Sequence, residues 1–84
     1  MGTIELLINK EEYKRAVVAI DNELAQDEYN IELLTLKAHA LNKLEQFNKA
    51  LTIYSSLINL IPGNAENYAA RGLTYLTIGE HWTN

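Results

Sequence analysis

The feature that most constrains this chain is its likeness to itself at an offset of 34 residues. Tyr13-Lys14-Arg15-Ala16-Val17 falls on Phe47-Asn48-Lys49-Ala50-Leu51, Ile20 on Tyr54, and Leu24 on Ile58. Leu34 falls on Tyr68, Lys37 on Arg71, Ala38 on Gly72 and Leu41 on Tyr75, and Asn30-Ile31-Glu32 falls on Asn64-Ala65-Glu66. Glu11, Glu45 and Gly79 stand one period apart, so turn falls on turn. A period of roughly 20–50 residues marks small units that stack because none can bury its apolar face alone.

Within each period the apolar residues recur every three or four positions, as in Leu33, Leu34, Ala38 and Leu41, or Ala50, Leu51, Tyr54, Leu57 and Ile58. That is the spacing of helices with one buried face. Pro62-Gly63 is the clearest break and Gly79 the next. The spacing predicts helices over 3–9, 12–26, 31–44, 47–60 and 65–78. Their short connections force neighbours to lie antiparallel. Asn30 and Asn64 are suited to cap the helices that follow them. Glu32 and Glu66 fall in first turns, where a carboxylate complements the helix dipole. Ala16, Ala38, Ala50 and Gly72 are small enough for helices of a pair to approach closely, and Tyr13, Phe47, Tyr54 and Tyr75 are large enough to fill the gaps between pairs.

These residues resemble the tetratricopeptide repeat family, whose signature alternates large, small and aromatic positions over about 34 residues and closes on proline. Leu34, Ala38, Leu41, Phe47, Ala50, Tyr54 and Pro62 follow that order in the middle repeat, and Tyr68-x-x-Arg71-Gly72-x-x-Tyr75-x-x-x-Gly79 opens the next. The first repeat matches through Glu12-Tyr13-Lys14-Arg15-Ala16, although Glu28 stands where proline is usual, and in the middle repeat Leu57 replaces a small residue. The resemblance covers nearly the whole chain. It implies an all-α, right-handed solenoid of antiparallel helix pairs, about five helices in one domain: a partial repeat over 1–30, a full repeat over 31–64 and a partial repeat over 65–84. On this reading the first repeat begins inside its first helix and the third stops after its own. The chain is then either a fragment of a longer array or has its open end covered by another molecule.

Composition narrows the function. At 84 residues the chain is one domain with a thin core, and 48% hydrophobic with 21% charged residues is globular rather than disordered. A net charge of −4 argues against nucleic acid, whose phosphates are gripped by clustered Lys and Arg. The absence of cysteine removes disulfides and thiolate metal sites. No apolar run approaches a membrane span, and Glu5 and Asn9 interrupt any signal-peptide pattern. Met1-Gly2 begins like a myristoylation signal, but Leu6 stands where Ser or Thr is wanted. A cytoplasmic location is the default expectation. His39 and His81 lack a second ligand at helical spacing, so no metal is expected. No base pairs locally with Ser55 or Ser56, and no glycine loop cradles phosphate, so neither an enzyme nor a cofactor is expected.

What remains is binding. The resemblance implies a non-catalytic adaptor or scaffold that holds a peptide or helix of a partner protein in a concave groove lined by the first helix of each pair. The matching positions are Glu5 and Ile8, then Glu32, Thr35, Leu36, His39, Asn42 and Lys43, then Glu66, Ala69, Ala70, Leu73, Leu76 and Thr77. The Lys, Arg and Asn clamp with which some members hold a peptide's C-terminal carboxylate is absent from the matching places, which carry Glu5, Thr35, Leu36, His39, Ala69, Ala70 and Leu73. The alternative is structural: a module that assembles through uncapped helical ends, as a homodimer with Tyr68, Tyr75 and Trp82 at the contact. Trp82 falls past the last predicted helix, either folded back over the open end or in a tail.

Overall fold

The computed structural model describes residues 2–83, with side chains through residue 80. It contains α1 (Gly2–Asn9), α2 (Tyr13–Leu24), α3 (Ile31–Lys43), α4 (Phe47–Leu60) and α5 (Ala65–Thr83), and no strand among the described residues. The main packing follows chain order, α1 on α2, α2 on α3, α3 on α4 and α4 on α5. A slab of 37 × 29 × 17 Å results.

The 34-residue likeness is carried by the backbone. α1 and α3 end in the same Schellman turn: Glu11 and Glu45 donate three residues back to the Ile8 and Asn42 carbonyls at 3.0 Å, and Glu12 and Gln46 donate five residues back to Leu7 and Leu41 at 2.8 and 2.9 Å. Glu11 and Glu45 hold φ of 60° and 61°, the left-handed conformation such a turn needs. Between pairs, Asn30 and Asn64 donate to the carbonyls of Asp27 and Ile61 at 3.2 and 3.1 Å. Both asparagines cap: Asn30 Oδ1 accepts from the Leu33 amide at 3.0 Å, and Asn64 Oδ1 from Glu66 at 2.9 Å.

Helix boundaries agree with expectation within two residues except at the last. Helix α5 continues through Gly79 to Thr83, where the period predicts a turn. Glycine adopts right-handed helix as readily as left-handed turn, so its presence permits the turn without imposing it. Position 82 is therefore part of the helix. The expected Trp82 contact lies outside the described side chains.

The core has two parts. Ile4, Ile20 and Leu33 join α1, α2 and α3, while Leu34, Ala38, Leu41, Ala50, Tyr54 and Leu57 join α3 and α4. Ala16, Ala38 and Ala50 are wholly buried, as their size requires at a close helix contact. Lys37 ties α3 to Asp21 of α2 at 2.7 Å.

Candidate functional site

Helix α5 is polar at its two buried positions. Its buried residues are Asn67 and Thr74, with Ala70, Arg71, Thr77 and Ile78 half-buried beside them. One repeat earlier, the matching buried positions are Leu33 and Ala40. Across the interface the same exchange occurs: Asn42 and Tyr54 stand where the preceding repeat has Ile8 and Ile20. The four apolar positions of the first junction are thus polar in the second.

Three of the four polar side chains find partners. The Asn42 amide nitrogen donates to the Tyr54 hydroxyl at 3.0 Å and to the Thr74 hydroxyl at 3.1 Å. Thr74 has one proton to give, to the Ala70 carbonyl at 2.8 Å or the Asn42 carbonyl at 3.3 Å. Burial pushes the Tyr54 phenol above its ordinary value of 10.0, and the bond from Asn42 opposes that shift in part. Asn67 is only 6% exposed, and its amide nitrogen has no hydrogen-bond partner. None of this pattern was legible as a site beforehand. The offset pairs 42 with 8 and 74 with 40, so the signal lay in comparing residue types at matched positions.

The outward half of α5 is apolar. Leu73 is 65% exposed, Leu76 64%, Tyr75 58% and Tyr68 45%, with Ala65, Ala69 and Gly72 exposed among them. A helix normally turns such residues inward and its Asn and Thr outward; α5 does the reverse. Gly72, Tyr75, Leu76, Gly79 and Glu80 line a shallow cleft on this side. A Cβ added at Gly72 or Gly79 would meet nothing within 4 Å. Among the described residues nothing packs closely on Gly72, and Tyr75 stays exposed.

The expected groove residues on α3 divide. Glu32, Thr35, His39 and Lys43 are exposed, Thr35 donating to the Ile31 carbonyl at 2.8 Å. The His39 ring stands edge-on to Tyr13 of α2, with centroids 6.2 Å apart. Two of the expected positions are half-buried rather than exposed. Leu36 keeps part of its surface in solvent while packing on the Ile4, Ile20 and Leu33 cluster, and Asn42 is tied into the α3–α4–α5 junction. Of the other matched positions, Ile8 and Ala70 also pack on the core, whereas Glu5, Glu66, Ala69, Leu73 and Leu76 face outward. The Asn42–Thr74 bond sets α3 beside α5. His39 and Lys43 lie three residues before and one after Asn42, and Leu73 and Leu76 lie one before and two after Thr74, so this bond links the two sets.

Sequence reasoning also missed a cleft between α4 and the α2–α3 loop, lined by Glu28, Tyr29, Leu34, Ser56, Asn59 and Leu60. Tyr29 is exposed there, and nothing in its spacing singled it out. Among the described residues no group of three His, Cys, Asp or Glu side chains is placed to hold a metal ion. No helix among them is long and apolar enough to cross a membrane. No protein-family model, curated protein or solved structure matches the chain.

Proposed function

We propose that the chain is a tetratricopeptide-type helical solenoid that binds a segment of another polypeptide, without catalysis, along the face shared by α3 and α5. The observation that carries this reading is Leu73 with Leu76: two leucines about two-thirds exposed on a helix whose inward face is polar. Contiguous exposed apolar surface marks interaction sites in soluble proteins. The 34-residue recurrence of turns and caps supports the repeat architecture, because it reproduces backbone conformation as well as residue type.

The ligand that suits the face is an extended segment or amphipathic helix with apolar anchors for Leu73, Leu76 and Ala69. The rim is mixed: Lys43 and His39 can meet a carboxylate or carbonyl, and Glu32 and Glu66 can meet a cation. Such a rim sets register, while the apolar centre supplies most of the affinity.

Leu73→Glu tests the proposal. The side chain is mostly in solvent, so circular dichroism and melting should match the unsubstituted chain within error. Affinity capture from the source cell should then lose the proteins that the unsubstituted chain retains. An identical set of retained proteins on a folded Leu73→Glu variant would remove the α3–α5 face as the binding site.

A further inference from the structure

We infer that a second copy of this chain docks on the remaining outward face of α5, with the two α5 helices antiparallel about a two-fold axis level with the Leu73–Thr74 peptide. The seam is the row Ala65, Tyr68, Gly72, Tyr75 and Gly79, at spacings of three, four, three and four residues. Every member is exposed. Spacing of that kind keeps one stripe of a helix facing a single partner helix along its length.

The order of sizes along the row selects the partner. Small and aromatic residues alternate: Ala, Tyr, Gly, Tyr, Gly. In a parallel pair, like positions meet, so tyrosine would abut tyrosine and glycine would leave a void against glycine. In an antiparallel pair the axis that sets Tyr75 opposite the partner's Gly72 also sets Tyr68 opposite the partner's Gly79. Both rings on each side then enter a glycine notch, four times across the interface. One period earlier the matching row Leu34, Ala38 and Leu41 is covered by α4; on α5 a second copy supplies a complementary row by symmetry, and isologous two-fold contacts close without forming filaments.

The flanks do not oppose this pairing. Ala69 and Leu76 border the seam on one side, Arg71 and Ile78 on the other, and in an antiparallel pair each flank meets its own kind. Leu76 then lies near the partner's Ala69 and Arg71 near the partner's Ile78. Glu66 and Glu80 fall outside both flanks by helical register. The glycines gain a use as well. Mid-helix glycine weakens a helix, and among the described residues a Cβ built at Gly72 or Gly79 meets nothing within 4 Å. A closely approaching second helix is what requires the Cβ to be missing.

One helix pair belongs to the small end of interface sizes, below about 1,200 Å² in total, so association is expected at micromolar rather than nanomolar concentration. Leu73 stands off the seam, which separates this surface from the α3–α5 face proposed for a foreign polypeptide.

Sedimentation equilibrium from about 1 to about 500 µM should show a reversible monomer–dimer equilibrium. Gly72→Leu should leave the melting temperature of dilute protein unchanged or raised, because a Cβ there meets nothing within 4 Å among the described residues, and should weaken the dimer by about tenfold or more. Leu73→Glu should dimerise like the unsubstituted chain, so loss of foreign-partner binding and loss of dimer can be told apart. The chain has no cysteine, so register can be read by oxidation: Tyr68→Cys mixed with Gly79→Cys should cross-link, and each variant alone should not. A monomer throughout the concentration range, a Gly72→Leu dimer as tight as the original, or cross-linking of either cysteine variant with itself would overturn the proposal.

Discussion

At the scale of single residues, the backbone imposes conformations that the sequence meets unevenly. Glu11 and Glu45 occupy left-handed turns, where a side chain other than glycine crowds the following carbonyl at a cost of roughly 1–2 kcal/mol. Glycine would relieve that crowding but loses more freedom on folding. Glu11→Gly and Glu45→Gly should therefore each stabilise the fold by about 0.5–1 kcal/mol, read as a higher urea midpoint with unchanged slope. A lower midpoint for both would mean that the carboxylates contribute more than the turn strain removes. The positions of these turns were legible because Glu11, Glu45 and Gly79 share a period; their conformation was not, since only the glycine hints at it. Tyr54 gives a second residue-scale expectation. Its folded-state pKa is raised, so the folded state keeps the phenolic proton when the unfolded chain has lost it. The associated stability is complete below the unfolded value of 10.0 and is lost as pH rises through the higher folded value. Tyr54→Phe should flatten the fall in urea midpoint above about pH 10. An alkaline limb identical in both proteins would assign it to the other tyrosines.

At the scale of elements, apolar spacing located all five helices, because each must hide one face and the 3.6-residue repeat shows which. Ala50 illustrates why: it lies wholly buried where α4 meets α3, and Ala50→Leu should overpack that contact by about 1–3 kcal/mol, lowering the melting temperature by several degrees. An unchanged melt would contradict the tight α3–α4 contact. What the spacing did not reveal is the inversion of α5. Leu73, Leu76, Tyr68 and Tyr75 were expected outward as groove or contact positions, but nothing in the helical spacing placed Asn67 and Thr74 inside. The matched positions resolve it, since Asn67 and Thr74 take the places of Leu33 and Ala40. Asn67 carries a buried amide nitrogen without a partner, a deficit of roughly 1–3 kcal/mol relative to a satisfied or apolar group. Asn67→Leu copies the residue one period earlier and should stabilise the chain by about 1 kcal/mol. If instead it destabilises, the pocket at Asn67 differs in shape from that at Leu33, and the polar junction is a packing requirement.

At the scale of the whole molecule, the two junctions predict unequal cooperativity. The first is sealed by Ile4, Ile20 and Leu33, and α3 and α4 share the larger core cluster. Helix α5 is held by α4 and by the Asn42–Tyr54–Thr74 bonds, and most of its own apolar surface lies in water. Apolar burial contributes roughly 25 cal/mol per Å², whereas a typical hydrogen bond adds only about 1 kcal/mol net. Detaching α5 therefore sacrifices little burial on its own account, and its opening should need less free energy than global unfolding. Native-state hydrogen exchange at low protein concentration should show α5 amides exchanging by a sub-global opening, at least about tenfold faster than the central amides of α3 and α4. Asn67→Leu should narrow the gap by making the junction apolar. Raising the protein concentration should narrow it too if a second copy covers the outward face, and a ligand on the α3–α5 face should do the same. The helix that presents both candidate surfaces would then be the one whose order depends on having them occupied. Uniform protection across α3, α4 and α5 in dilute protein would refute this ordering, because the polar junction would then hold as firmly as the apolar one.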